Sequence, residues 1–147
     1  MDDTAINDMT ARELAEHSTD VMWSQDRASA ALGMKIVSVD EGRSEVKMPV
    51  RDDMINGHGM IHGGLVFSLA DSAFALACNS RNKASFAMSC GIDFIRPAML
   101  GDELTAKAEE KSVTRSSGFY EVTVTNQDDK VIAHFQGRSF THLSLIH

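Results

Sequence analysis

Apolar positions recur along this chain with two different periods, and the switches between them divide it into elements. From Thr10 to Ala31 the pattern predicts a helix, with Thr10 as N-cap, Glu13 in capping-box position and Gly33 beyond its end. Met34 to Val39 read as a strand and Glu41-Gly42 as a turn. Val46, Met48 and Val50 then alternate with Glu45, Lys47 and Pro49, as in a strand with one buried face. Pro49 has no N–H for a ladder, so it marks an edge or a strand end. In Gly63–Cys78, GGLVFSLADSAFALAC, the period becomes helical: Leu65, Leu69, Ala73, Leu76 and Ala77 form one face, and Val66, Phe67, Ala70 and Phe74 fill the others. A helix apolar nearly all round is predicted to be buried.

The two-residue period then returns. Met88, Cys90, Ile92 and Phe94 alternate with Ser89, Gly91, Asp93 and Ile95, and Arg96-Pro97 closes that strand. Leu104, Ala106 and Ala108, then Tyr120, Val122 and Val124, then Val131, Ala133 and Phe135 mark three more, with a polar turn from Asn126 to Lys130. The order is helix, two strands, a long helix and four strands. That is an α+β plan in which one antiparallel sheet folds around a central helix.

One residue conflicts with the burial of that helix. Asp71 is its only charge, no Lys or Arg lies within a helical turn, and Ser68 and Ser72 are its only polar neighbours. Removing water from a carboxylate costs several kcal/mol unless it is paired. Asp71 is therefore either a core carboxylate served by backbone donors or a distant arginine, or a catalytic carboxylate whose environment tunes its pKa.

Composition narrows the rest. A chain of 147 residues, 43% hydrophobic, can bury one core, so residues 1–147 are expected to form one domain, with 1–31 a helical segment before the sheet. A net charge of -7 argues against a broad nucleic-acid or anionic-membrane surface but leaves room for a local basic pocket. Cys78 and Cys90 lie in apolar segments without a CxxC spacing and read as reduced core residues. His58 and His62 are four apart but separated by glycine, with no further ligand, so neither a metal nor an organic cofactor is expected. The acidic, polar start resembles neither a secretory signal nor a transit peptide, and the longest apolar run falls short of the roughly 20 residues that span a bilayer. A cytoplasmic protein with no membrane segment is the expectation.

Asn56-Gly57-His58, His62-Gly63-Gly64, Phe67-Ser68-Leu69-Ala70-Asp71, Ala77-Cys78-Asn79-Ser80 and Asp93-Phe94-Ile95-Arg96-Pro97, in this layout, resemble the hotdog-fold acyl-CoA thioesterases. Within them the chain is most similar to the phenylacetyl-CoA (hydroxyphenylacetyl-CoA) thioesterases of bacterial phenylacetate breakdown. The resemblance covers nearly the whole chain. It implies a hotdog fold and hydrolysis of a CoA thioester to free acid and CoA, with CoA entering as part of the substrate. It also implies the Gly63 amide as oxyanion donor, Asp71 as nucleophile or general base, Asn56 placing the thioester or the lytic water, and a homodimer that pairs into a homotetramer.

Elementary chemistry is consistent with that implication. Thioester cleavage needs donors for a developing oxyanion, which backbone N–H groups at a helix start supply, and Gly63 and Gly64 lack side chains that would keep a carbonyl away. By themselves the two glycines also fit a tight strand-to-helix turn, and Asn56-Gly57 is a turn signature. Gly63 and Asp71 are eight positions apart on one helix, a rise of about 12 Å, too far for both to touch one carbonyl. The two are therefore expected to meet across a dimer interface.

Around this pair, His62 either orients the loop and contacts substrate or bonds locally at the helix start, and Ser89 is a candidate for a hydrogen bond to the thioester or to Asp71. Arg96 and Arg115, with Lys83 or Arg138, are candidates for the CoA phosphates. Ser116 and Ser117 in the polar loop Ser112 to Gly118 could lie along the nucleotide. Arg81 and Lys83 equally suit the carboxyl end of the central helix. Phe67, Leu69, Phe74, Met54 and Met60 are candidate acyl-pocket walls or plain core. Two other functions use the same parts: a dehydratase with His62 or His58 opposite the carboxylate, and a non-catalytic acyl-CoA sensor. No nucleic-acid or membrane partner is expected.

Overall fold

The computed structural model describes residues 3–146. Three short helices, α1 (Asp3–Asn7), α2 (Ala11–Trp23) and α3 (Arg27–Ala31), precede strands β1 (Lys35–Asp40) and β2 (Arg43–Pro49). A loop containing one 3-10 turn leads into α4 (Gly63–Cys78), followed by β3 (Lys83–Phe94), β4 (Glu103–Val113), β5 (Ser117–Thr125) and β6 (Val131–Leu145). The six strands form one antiparallel sheet in the order β1-β2-β4-β5-β6-β3. It wraps around α4, the arrangement expected of the hotdog fold.

The alternation read from the sequence is what builds the core. Val46 and Met48 of β2, Leu104, Ala106 and Ala108 of β4, Tyr120, Val122 and Val124 of β5 and Phe135 of β6 point inward, each at most 3% exposed. They meet Leu69, Ala70, Ala73, Phe74 and Ala77 of α4. Each large side chain removed from water there contributes about 1.5–3 kcal/mol before entropy is counted. Small residues let helix and sheet approach: a Cβ on Gly137 of β6 would lie 2.7 Å from the Phe74 ring.

Three expectations need correction. The helix predicted over Thr10 to Ala31 is two helices. The Thr10–Glu13 capping box forms, but Asp26 accepts hydrogen bonds from the Ser29 N–H and Oγ and so caps a new helix, α3. Next, α4 is not covered on all sides. Asp71, Ser72 and Ala75 remain partly open, as do Leu65, Phe67 and Ser68, and Gly64 is exposed.

The third concerns β3, which starts at Lys83 and does not bury its apolar alternation. Met88 is 59% and Phe94 55% exposed. β3 is an edge strand, paired only with β6, and its register slips between Ala87 and Ser89, which places Met88 in a bulge. Phe86, Met88 and Phe94 on this edge strand and Ile95 just beyond it leave exposed apolar surface.

Candidate active site

The start of α4 is held by the loop before it. Ile61 N–H donates to Ala98 O at 2.9 Å and His62 N–H to Met54 O at 2.8 Å, so the chain enters the helix from a fixed direction. His62 is the N-cap: its Nδ1 accepts the Gly64 N–H at 3.0 Å, and its carbonyl accepts the Leu65 N–H at 2.9 Å. The local role read for His62 is thus the one its imidazole performs. The Gly63 N–H, at the first helical position, has no acceptor among the described residues. It is a free donor, reinforced by the helix dipole.

Asn56 shapes the same place. Its Oδ1 accepts the N–H groups of His58 at 2.9 Å and Met60 at 3.3 Å, closing the loop before the helix. The turn reading is therefore correct, and it leaves the Nδ2 end unused. Asn56, Met60, Gly63, Phe94 and Arg96 line one cavity of about 320 Å³.

Asp71 opens elsewhere. It lines a cavity of about 420 Å³ whose walls include Met22, Phe74, Cys78, Phe86 and Ile146. Its carboxylate has no hydrogen-bond or ion-pair partner among the described residues. Ser68 donates instead to Gly64 O at 2.9 Å, and Ser72 exchanges a hydrogen bond with Ser29 at 2.9 Å. Burial, unrelieved by any donor, raises its pKa above the ordinary carboxylate range. Two thiols lie in its field: burial, then the Asp71 charge, pushes Cys78 up to about 12 and raises Cys90. They are unpaired and protonated, Cys78 in the core as read and Cys90 only half-buried.

The remaining candidates separate. Arg96 is exposed at the rim of the Gly63 cavity. Arg115 and Ser117 line a pocket of about 160 Å³ with Arg81 and Lys83, whereas Ser116 only offers its carbonyl to the Thr141 N–H at 2.8 Å. Arg81 does not serve the helix end: it forks onto Glu110 through two 2.8 Å hydrogen bonds and reaches Glu41 at 2.8 Å. Ser89 is exposed, in register with Arg138, and both line a cavity of about 520 Å³ with Phe119 and Gln136. It makes no bond to Asp71 within the chain, and the two line different cavities. Arg138 stacks over Phe119 at 5.4 Å. Leu69 and Met54 are core, Phe67 packs on Phe135 with centroids 5.3 Å apart, and Phe74 and Met60 do line cavities. The walls missed by sequence reasoning are Met22, Cys78, Phe86 and Ile146, brought together by the docking of α2, by β3 starting early and by the C-terminal segment. Among the described residues no three of His, Cys, Asp and Glu converge on a metal-sized site. No helix there is long and apolar enough to cross a membrane.

Comparison with known proteins places this geometry. Residues 58–133, which contain both Gly63 and Asp71, match the thioesterase superfamily model. The chain is 47% identical over 118 residues to the acyl-coenzyme A thioesterase PaaI of Escherichia coli, covering 80% of this chain and 84% of that protein. It superposes on the solved E. coli PaaI protein, from the phenylacetic acid degradation operon, with a TM-score of 0.91 and 41% identity, covering 92% of this chain and 99% of that one. A Streptococcus mutans protein solved with acetyl CoA is 27% identical at a TM-score of 0.74, over 76% of this chain and 90% of that one. With a free amide donor and an unpartnered carboxylate set on the central helix of a hotdog fold, and relatives of this closeness over most of its length, the chain belongs to the thioesterase superfamily and is a thioester hydrolase.

Proposed function

We propose that this enzyme hydrolyses CoA thioesters of aromatic acids, phenylacetyl-CoA and its hydroxylated forms foremost, at sites shared between two chains of a dimer. The observation that carries this reading is the separation of its two reactive groups. The Gly63 N–H and the Asp71 carboxylate lie eight positions apart on α4, about 12 Å along the axis, and open into different cavities. A reacting carbonyl must lie within about 3 Å of its donor and close to its base. Two chains related by a two-fold axis bring Gly63 of one to Asp71 of the other, twice per dimer.

In such a site the carbonyl oxygen accepts from the Gly63 N–H. Asp71 takes a proton from water as the water oxygen adds to the carbonyl carbon, and the carbonyl electron pair moves onto the oxygen. Collapse of the adduct breaks the C–S bond, and the departing thiolate recovers the proton from Asp71, giving the acid and CoA. Direct attack by the carboxylate gives the same products through a mixed anhydride that water opens. Both routes need an ionised Asp71, and its raised pKa makes it the stronger base. In this reading Asn56 holds the thioester or the water beside Gly63, which is supported by the cavity the two share. Arg96, at the rim of that cavity, suits a CoA phosphate. In this reading Arg115 and Ser117, which share a pocket, lie along the nucleotide with Ser116 beside them, and Ser89 and His62 contact the substrate at the rim of the shared site.

The aromatic preference rests on the E. coli relative from the phenylacetic acid degradation operon and on the apolar Asp71 cavity walled by Phe74 and Phe86. CoA as carrier is supported by the S. mutans protein bound to acetyl CoA. The dimer pairs further into a homotetramer in this reading, and the enzyme works in the cytoplasm, where its two unpaired thiols stay reduced. A dehydratase would want a histidine opposite the carboxylate, and within the chain neither His58 nor His62 lines the Asp71 cavity, the Nδ1 of His62 accepting from Gly64.

Subunit complementation tests the shared site. Gly63→Pro removes the amide proton at a position whose backbone tolerates proline, after a residue whose φ of -64° and ψ of 128° suit a following proline, and the Phe94 ring, 3.0 Å from the added Cβ, must give way by a few tenths of an ångström. Gly63→Pro and Asp71→Asn homodimers should each be inactive. Dimers reassembled from an equal mixture should recover roughly a quarter of wild-type thiol release, because about half are hybrids and each hybrid holds one intact site. No recovery from verified hybrid dimers would place both groups in one chain.

A further inference from the structure

We infer that Phe94 is a positioning residue for this reaction, its ring edge seating the thioester on the Gly63 amide and keeping water from it. The inference rests on the reading of Gly63 as oxyanion donor. The ring approaches Gly63 edge first: a Cβ on that glycine would meet Phe94 Cζ at 3.0 Å, Cε1 at 3.3 Å and Cε2 at 3.5 Å. The absence of a side chain at Gly63 is what lets the ring settle there.

The ring's position follows from a fixed backbone. Phe94 ends β3 in register with Ala133, and the N–H groups of the next two residues, Ile95 and Arg96, both donate to Ile132 O at 2.9 and 3.3 Å. Although its backbone is pinned, the side chain is 55% exposed and lines the same cavity as Asn56, Gly63 and Arg96. An exposed phenylalanine held against a free amide costs hydrophobic free energy that a substrate in that cavity would return.

Gly63 and Phe94 line one cavity, so a thioester whose oxyanion stands about 2.7–3.1 Å from the Gly63 nitrogen enters the space that the ring borders. The ring edge carries the positive rim of the aromatic quadrupole, so it faces developing negative charge favourably. Excluding water also strengthens the single amide hydrogen bond, which in this site has no second donor from Gly64.

The test compares Phe94→Ala, Phe94→Leu and Gly63→Pro with wild type, using whichever acyl-CoA the wild type cleaves fastest and measuring dimer mass at the assay concentration. Phe94→Ala should lower kcat at least ~10-fold with KM changed less than ~3-fold, and Phe94→Leu, which keeps most of the shield, should stay within ~3-fold of wild-type kcat. Dimer mass and the acid limb of the pH profile should not move. A Phe94→Ala kcat near wild type, a loss confined to KM, or a loss that tracks dissociation of the dimer would each overturn the inference. If Gly63→Pro stays active, the donor assignment itself fails, whatever Phe94 does.

Discussion

The Nδ1 of His62 accepts the Gly64 N–H at 3.0 Å, and that one bond decides which amide at the start of α4 is left for a substrate. A helix start offers several unpaired N–H groups. Here Gly64 is capped and Leu65 is turned back to His62 O, while the Gly63 N–H, in the cavity with Asn56 and Phe94, has no acceptor among the described residues.

His62→Ala should therefore cost about 1 kcal/mol of stability through the lost cap and lower kcat by a few fold, since Gly64 then competes for water beside the donor. His62→Asn, a better N-cap side chain, should restore stability and most of the activity. Chemical denaturation and thiol-release kinetics on both variants check this. An alanine variant with unaltered stability would remove the cap from the account.

Asp71→Asn should abolish turnover and stabilise the fold. Burial raises the Asp71 pKa with no donor to offset it, so ionising it costs the folded state more than the unfolded one. The penalty is absent when pH lies below the ordinary carboxylate value of 3.8, grows as pH rises through the raised folded value and is complete above it. The asparagine variant should melt higher than wild type at neutral pH, and the two should converge as pH falls toward 4. The wild-type kcat/KM should rise with pH through the same raised value. A lower melting temperature for Asp71→Asn at pH 7 would show that the carboxylate is paired.

Periodicity exposed most of the frame. The period-two runs of β2, β4 and β5 and the helical run of α4 are legible because each buries one kind of residue on one side. The break between α2 and α3 was hidden, since Asp26 and Ser29 look like ordinary helix positions until Asp26 caps α3 by accepting from the Ser29 N–H and Oγ. The exposure of Met88 and Phe94 was hidden too, because being an edge strand depends on strand order, a property of the whole sheet. In the site, Gly63, Asp71 and Asn56 stand out by type and spacing, whereas Met22, Phe86 and Ile146 reach the Asp71 cavity only through tertiary docking.

Glu110→Gln should lower stability at neutral pH by roughly 1 kcal/mol, with the loss fading in acid. The Arg81 fork holds the Glu110 carboxyl below the usual range, with Tyr120 Oη donating at 3.3 Å. A lowered carboxylate pKa contributes stability that is present above the ordinary value and is lost as pH falls through the folded one. Arg81 is 35% exposed, which keeps the pair near the modest range of surface bridges. Melting curves from pH 7 to pH 3 should converge at the acid end, and a constant offset across that range would mean that packing, not charge, is lost.

Gly137→Ala should destabilise the fold and disturb the acyl cavity together. The added Cβ would stand 2.7 Å from Phe74 Cε2 and 2.8 Å from Cδ2 and Cζ. Phe74 cannot easily retreat, being 1% exposed and packed against Tyr120 and Phe135 with centroids 5.4 and 5.8 Å apart. Overpacking of this kind costs about 1–3 kcal/mol, near 2–4 °C of Tm per kcal/mol at this size. Because Phe74 also lines the Asp71 cavity, the strain should appear as a raised KM for aromatic acyl-CoAs relative to short ones. Phe74→Leu costs stability alone but makes room for the methyl, so the double variant should be more stable than the two losses summed. Additive losses would show that the methyl is accommodated by the strand rather than by the ring.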